Sequence, residues 1–329
     1  MEKISIALAT YNGEKYIITQ LESILNQTLK PNEVIIVDDC STDHTVDLVN
    51  DFITQNNLSN WKLYRNEINS GYKKNFYNAI RKTTGDYIFL SDQDDEWHSN
   101  KIERMINVIK NNANIEALNS GTKLIDGNSN TIEYKCQKNY YNNDFLYFKN
   151  SLKDLQSFDD AYILLHNISP GCTMAITRNL ANDFLKTYSF ELPHDWYLNL
   201  LASQKNKCYF LNEVLIDYRR HENNAIGANT GMVKGITKKT SDFRILNYQS
   251  RLDSINQILE YYHVMPTKGL IESKNLIEEI IAFYKCPSLR KLIHLRKNPL
   301  YFELAKRKVR VWEFIVSIRL DKFIIKLFS

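Results

Sequence analysis

The chain has 329 residues, of which 43% are hydrophobic and 24% charged, ordinary proportions for a folded protein with a sizeable core. No uninterrupted apolar run approaches the roughly 20 residues needed to cross a bilayer. Residues 1–10 are too short a stretch, too soon interrupted by Asn12 and Gly13, for a secretory signal, so a cytoplasmic location is expected.

The net charge of +4 is unevenly divided: residues 285–329 carry twelve Lys or Arg against three Asp or Glu, a balance of +9, which leaves −5 for residues 1–284. A basic footprint for phosphodiester backbones is therefore missing from the main body, and no nucleic-acid partner is expected. The five cysteines (Cys40, Cys136, Cys172, Cys208 and Cys286) are odd in number and lack a Cys-x-x-Cys pair, which argues for reduced thiols and against a cysteine-bound zinc.

Residues 4–9, 34–37 and 87–90 are short apolar runs bounded by turn signals, the pattern of buried parallel strands. Helical spacing fills the intervals. Tyr16, Leu21, Ile24 and Leu25 mark one helix; Val46, Val49, Phe52 and Ile53 mark a second behind capping candidates at 41–43. Phe76, Ala79 and Ile80 mark a third, and Ile102, Met105, Ile106 and Ile109 a fourth after a cap expected at Ser99. This alternation predicts an α/β fold, a mostly parallel sheet flanked by helices, whose ligands bind beyond the carboxyl ends of the strands.

Past residue 110 the spacing predicts strands and a turn over 115–135, an aromatic-rich irregular insertion over 138–160 and a strand over 168–177. A helix over 194–203 and a strand over 209–218 follow, the latter leading into Arg219-Arg220-His221. From about residue 240 the chain reads as helical, punctuated by Pro266, Pro287 and Pro299. The expected domains are 1–235, with a nucleotide-binding half 1–110 and an acceptor half 111–235, and a basic helical region 236–329. Residues 311–328 mix Trp312, Ile315, Val316, Ile318, Phe323, Ile324, Leu327 and Phe328 with Arg319, Lys322 and Lys326. Such a segment suits a membrane surface; packing on the main domain or on a second copy is the alternative.

The run from Gly85 ends in Asp92-Gln93-Asp94-Asp95, three carboxylates within four residues. Like charges so close repel unless a cation sits among them, so the cluster points to a divalent metal and a phosphorylated substrate. Neither a Gly-x-Gly-x-x-Gly turn nor a P-loop is present, which leaves phosphate handling to a metal and side chains. Each segment also has a plainer reading: Asp38 and Asp39 as helix caps, Thr10-Tyr11-Asn12-Gly13 as a turn, His194-Asp195 as an N-cap, His221 as a surface residue, and Trp97 and Trp196 as packing.

Five segments in order, Ala9 to Gly13, Gln27-Thr28, Val37 to Asp43, Asn69 to Asn75 and Gly85 to Trp97, resemble family-2 glycosyltransferases of the GT-A fold. Ser169 to Met174, His194-Asp195-Trp196 and Tyr218 through Gly227 resemble the bacterial branch of rhamnosyltransferase type. The resemblance covers about residues 1–230. It implies Asp39 on the uracil or thymine ring with Thr10 and Tyr11 lining the base pocket. Asn12, Asp38, Asn75 and Gln93 fall in the same nucleotide-sugar motifs, and Asp92 lies near the ribose. It further implies Asp94, joined by Asp95 and His221, as ligands of Mn²⁺ or Mg²⁺, and Arg219 or Arg220 on the diphosphate. Asp195 matches the family's base, with His194 as a contributor where many relatives carry an acid.

The activity implied is inverting, metal-dependent sugar transfer from a nucleotide diphosphate sugar, dTDP-rhamnose or a UDP-hexose, to a polysaccharide or lipid-linked acceptor. A peripheral place on the inner face of the cell membrane goes with that acceptor, and a homo-oligomer is left open. The alternatives are a nucleotidyltransferase, which would release pyrophosphate, and a non-catalytic subunit of a membrane-bound assembly complex.

Overall fold

The computed structural model describes residues 2–221, 241–304 and 307–319. The chain divides into two compact units: Met1–Asp159 with Asn167–His221, and Asp160–His166 with the described part of Glu222–Ser329.

In the first unit the strands are β1 (Ile4–Thr10), β2 (Glu33–Asp38), β3 (Trp61–Arg65), β4 (Tyr87–Ser91), β5 (Glu96–Trp97), β6 (Ala117–Ile125), β7 (Tyr140–Tyr141), β8 (Leu146–Tyr147), β9 (Leu155–Phe158), β10 (Ala175–Thr177) and β11 (Cys208–Arg219). Its helices are α1 (Ile17–Leu25), α2 (Thr45–Gln55), α3 (Tyr72–Lys82) and α4 (Lys101–Asn111), and later α6 (Arg178–Thr187) and α7 (His194–Ser203). The main sheet runs β3-β2-β1-β4-β10-β6-β11-β5, with β9 also on β11; β10 lies antiparallel between β4 and β6, and β7 and β8 form a separate hairpin. The mostly parallel sheet is as expected.

Every residue of β1 is buried, which requires helices on both faces of the sheet. Ile17, Leu21 and Ile24 of α1 recur at helical spacing and pack with Ile6, Leu8, Val34 and Ile36 in one core. Each such side chain, fully buried, contributes about 1.5–3 kcal/mol of transfer free energy. The parallel register sets Thr10 beside Asp38 and Leu8 beside Ser91, so the polar ends of β1, β2 and β4 emerge along one edge.

Three expectations are corrected. Residues 168–177 are not one strand: Pro170-Gly171 turns the chain into a 3-10 turn at Gly171–Thr173, and only Ala175–Thr177 pairs. The α4 cap position is Asn100, not Ser99, and it makes no side-chain cap bond. The α2 cap is shifted too: Asp43 accepts from the Thr45 amide at 3.0 Å while His44 holds the cap position. The strand β3 and helix α6 were not anticipated.

The second unit holds α5 (Asp160–Leu165), α8 (Ser241–Tyr262), α9 (Lys268–Lys285), α10 (Leu289–Leu295), α11 (Pro299–Leu304) and α12 (Arg307–Ser317). Thr267 and Ser288 cap α9 and α10 by accepting from the amides of Leu270 and Lys291 at 3.1 and 3.3 Å. Glu313 of α12 is buried and accepts from the hydroxyls of Tyr284, at 2.8 Å, and Tyr301. Of the segment expected at a membrane, residues 320–328 lie outside the described residues. Trp312 and Val316 are buried within the unit, whereas Val311, Phe314 and Ile318 are exposed. No helix among the described residues is long and apolar enough to cross a membrane.

Candidate active site

The loop after β1 is bound to the loop after β4 through Gln93, whose Oε1 accepts from the Thr10 hydroxyl at 2.5 Å and the Tyr11 amide at 2.7 Å while its Nε2 donates to the Tyr11 carbonyl at 3.0 Å. A Cβ on Gly13 would collide with that Oε1, so any side chain there would have to displace the Gln93 amide from these bonds. Gln93 therefore braces the site instead of facing a donor. Tyr11 remains 43% exposed, a ring face open to stacking. Asn12 sits at φ +48, a left-handed position that asparagine tolerates, and its Oδ1 accepts from the Thr42 amide at 2.8 Å.

Asp38 is buried and accepts from the Ser41 amide at 2.9 Å and from the Ser41 hydroxyl, with Arg65 Nε at 3.6 Å. Asn75 is buried too, donating to the carbonyls of Thr10 and Val37 at 3.2 and 2.9 Å. In the structure both side chains are engaged by the protein around the strand ends. Asp39 accepts from Asn66 Nδ2 at 2.8 Å, from the Ser70 hydroxyl and amide at 2.9 Å each, and from the Gly71 amide at 2.7 Å. A carboxylate offers about four acceptor sites, so this set fills it.

The acidic loop separates into two groups. Asp94 Oδ2 lies 2.7 Å from His221 Nε2, while Asp92, Asp95 and the Cys172 thiol bring ligand atoms within 4.8 Å of one another. Asp95 is 1% exposed; its Oδ1 accepts from the Arg219 amide at 2.9 Å and its Oδ2 has no hydrogen-bond partner. Burial first, then the charge of Asp94, pushes the carboxyls of Asp92 and Asp95 well above the usual range. The fully buried Lys101 answers part of this charge from the other side. Its ammonium donates to the Thr173 carbonyl at 3.2 Å and lies 4.9 Å from the Trp97 ring, and burial lowers its pKa to about 8 against the opposing charges of Cys172 and Asp95. Neither Lys101 nor Cys172 was anticipated; Lys101 follows the acidic loop closely, but Cys172 and the Thr173 carbonyl that Lys101 meets come from a segment distant in sequence.

Arg219 is 1% exposed. Its guanidinium is buried beneath the loop, donating from Nε to the Asp94 carbonyl at 2.7 Å, from Nη1 to the Asp126 carbonyl at 2.8 Å, and from Nη2 to the Glu96 carboxylate and Ser129 Oγ. It also covers the Tyr16 ring at 4.7 Å. Arg219 shapes the acidic loop from within. Arg220 is exposed, its guanidinium 5.7 Å from the Tyr134 ring.

The residues present fit a divalent cation. Asp94 Oδ2 and His221 Nε2 are in hydrogen-bond contact at 2.7 Å, so a cation held by both would take the place of the proton they share. Carboxylates with one imidazole suit Mn²⁺ or Mg²⁺, while Asp95 groups with Asp92 and Cys172.

Asp195 occupies the first turn of α7 and is 7% exposed. Asn167 Nδ2 donates to its Oδ2 at 2.8 Å. Burial raises its pKa to about 6, opposed by Asn167 and by the amides of the helix start. Tyr72, at the start of α3, lies near both acids: burial and then the charges of Asp195 and Asp92 push its phenol up to about 12. His194 lies beside Asp195 at the start of α7. It is buried and stacked on Phe76 with ring centroids 3.9 Å apart, and burial lowers its pKa to about 3, keeping it neutral. Gly171 passes so close that a Cβ there would stand 2.7 Å from His194 Nε2 and 3.3 Å from Asp195 Cβ.

Residues 5–174 match the family model described as Glycosyl transferase family 2. The dTDP-rhamnosyl transferase RfbG of Shigella flexneri is 32% identical over 235 residues, covering 68% of this chain and 74% of the relative. The UDP-Glc:alpha-D-GlcNAc-diphosphoundecaprenol beta-1,3-glucosyltransferase WfgD of Escherichia coli is 29% identical over 211 residues, 64% of this chain and 73% of that one. Among solved structures, S. aureus TarS 1–349 in complex with UDP-GlcNAc superposes with a TM-score of 0.56 at 17% identity, covering 98% of this chain and 92% of that one. The mannosyltransferase PcManGT of Pyrobaculum calidifontis, in complex with GDP-Man and Mn²⁺, gives 0.54 at 14% identity, covering 97% and 87%. The chain belongs to glycosyl transferase family 2 and is a glycosyltransferase with the GT-A fold.

Proposed function

We propose that the protein moves a sugar from a nucleoside diphosphate donor to a hydroxyl group of a surface-polysaccharide precursor, with inversion at the anomeric carbon. The observation that carries this reading is one paired ligand set, Asp94 with His221, in the same unit as a buried carboxylate, Asp195, whose pKa sits near 6. Such a group is mostly ionised at neutral pH and still basic enough to accept a proton. Tyr11 stacks on the pyrimidine. Asp39 takes the ring imide N–H after giving up one present donor, the Ser70 hydroxyl being the one that rotates most easily. Asp92 faces the ribose, and the exposed Arg220 reaches the diphosphate.

Asp94 and His221, with Asp95 of the neighbouring acidic group as a further candidate, would hold Mn²⁺ or Mg²⁺. That ion, when bound, neutralises charge developing on the departing diphosphate. Asp195 removes the acceptor proton as the acceptor oxygen bonds to the anomeric carbon and the bond to the diphosphate oxygen breaks. A single displacement by one base inverts the centre. The name of RfbG favours dTDP-rhamnose as donor, with a UDP-hexose the alternative suggested by WfgD and TarS. The name of WfgD favours a polyprenyl-diphosphate-linked acceptor.

A lipid-linked acceptor suits a protein resting on the inner face of the membrane. In the second unit Leu289 and Ile293 of α10, Phe302 of α11, Val311 and Phe314 of α12 and Ile318 just after it are exposed apolar residues. Arg296 and Arg310 lie among them, with Arg310 5.4 Å from the Phe302 ring. Flotation with anionic vesicles checks this face; a dimer that buries it, seen by light scattering, is the competing outcome.

The reaction is tested with dTDP-rhamnose, UDP-glucose and UDP-GlcNAc, with Mn²⁺, with Mg²⁺ and with EDTA. Metal-dependent release of nucleoside diphosphate is expected with one donor. Release of pyrophosphate would instead identify a nucleotidyltransferase, and no turnover of any donor supports a non-catalytic subunit.

A further inference from the structure

Asp195 is the end of a line of buried amides. Asn119 of β6 donates from Nδ2 to Asn199 Oδ1 at 2.8 Å, Asn199 donates from Nδ2 to Asn167 Oδ1 at 3.1 Å, and Asn167 donates from Nδ2 to Asp195 Oδ2 at 2.8 Å. Asn119 and Asn199 are fully buried. Asn199 stands four residues after Asp195 on α7, hence on the same helix face, and Asn167 bridges the two. The sense of the line is fixed by the backbone, because the Ile168 amide donates to Asn167 Oδ1 at 3.0 Å. The Asn167 oxygen must face that amide, so its nitrogen must face Asp195. At the far end, Asn119 Nδ2 also donates to the Tyr209 carbonyl at 3.2 Å, which anchors the line in the sheet.

We propose that Asn167 is a positioning residue for the reaction, holding the plane and the ionised form of Asp195 through an amide line rooted in the central sheet. This rests on the reading of Asp195 as the base. Amides aligned donor to acceptor polarise one another, so the last N–H is a stronger donor than an isolated one. It pins one carboxylate oxygen and thereby aims the group at the acceptor. It also opposes the rise in pKa that burial imposes. The other groups facing Asp195 act differently: the carboxyl of Asp92 in the acidic loop is itself pushed up by burial and by the charges of Asp94 and Asp195, Tyr72 of α3 and Tyr188 after α6 are neutral phenols, and His194 is neutral.

The test measures kcat, KM for the donor and the pH dependence of kcat/KM for the wild type, Asn167→Ala and the isosteric Asn167→Asp, with Asp195→Asn in parallel. Asn167→Ala is expected to lower kcat about tenfold or more, leave the donor KM within about twofold, and move the acid limb up by about one pH unit. Asn167→Asp, which sets a second carboxyl against the first, is expected to move the limb further in the same direction. Asn167→Asp keeps the side-chain shape and carries the test if the alanine variant fails to fold. An inactive Asp195→Asn together with wild-type kcat and an unmoved acid limb in the folded Asn167 variants overturns the positioning role alone. Wild-type turnover by Asp195→Asn overturns the base reading itself, and this inference with it.

Discussion

Replacing Arg219 by alanine separates an architectural arginine from one that binds phosphate. The substitution removes a buried cation from the Glu96 carboxylate and strands the carbonyls of Asp94 and Asp126, which now accept at 2.7 and 2.8 Å. Breaking one side of a buried pair costs about 3–5 kcal/mol. Glu96 keeps some access to water, which lowers the figure, while the two stranded carbonyls raise it, so about 4 kcal/mol is a fair expectation. In a unit of this size about 1 kcal/mol moves the melting temperature by ~2–4 °C, which gives a drop of roughly 8–16 °C. Arg219→Lys is expected to recover little of it, because an ammonium cannot span acceptors that a planar guanidinium joins. The assay is thermal unfolding without donor, followed by donor titration of the folded fraction. An unchanged melting temperature with donor affinity weakened tenfold would refute the reasoning and return Arg219 to the diphosphate.

Three further outcomes are expected. His221→Ala should weaken Mn²⁺ binding in the presence of nucleoside diphosphate by at least about tenfold by calorimetry; unchanged affinity would mean that Asp92, Asp95 and Cys172 hold the ion without it. Gly171→Ala should cost about 1–3 kcal/mol by overpacking and lower turnover as well, since the new methyl would press on both His194 and Asp195; wild-type stability and turnover would count against that contact. The folded pKa of Asp195, about 6, lies above the ordinary 3.8, so the folded state holds this proton more tightly than the unfolded chain. Stability from this group is therefore lost as pH rises from about 4 through 6, to a limit of about 3 kcal/mol. Asp195→Asn should accordingly gain melting temperature relative to wild type between pH 4 and pH 7, and parallel curves would contradict the raised pKa.

The parts of the fold with a strong period were legible. Strands β1, β2 and β4 are runs of buried aliphatics, and α7 coincides with the expected 194–203. By contrast β3 is an edge strand whose Trp61 alone is buried, so it carries no apolar run to read. Helix α6 did carry a signal, with Leu180, Ala181 and Phe184 on one face behind a Thr177 cap, inside a region where the turn at Gly171 was taken as strand. In the site, three acids in four residues were legible because their repulsion is local. Arg219 was not, because its burial under the loop depends on Glu96 and Asp126, far away in sequence. Cys172 and Asn167 share that condition, as does the Thr173 carbonyl that Lys101 meets: each pairing forms only when the fold brings distant segments together. The spacing of Asp195 and Asn199 on one helix face was the one local hint of the amide line.

The central claim is that Asp195 takes the acceptor proton, and the most direct measurement is turnover by Asp195→Asn beside its donor dissociation constant. A positioned general base is worth about 10²–10⁴-fold. The account predicts a loss of turnover in that range with donor affinity within about threefold of wild type. Turnover near that of the wild type, or a loss traced wholly to donor binding, would contradict it.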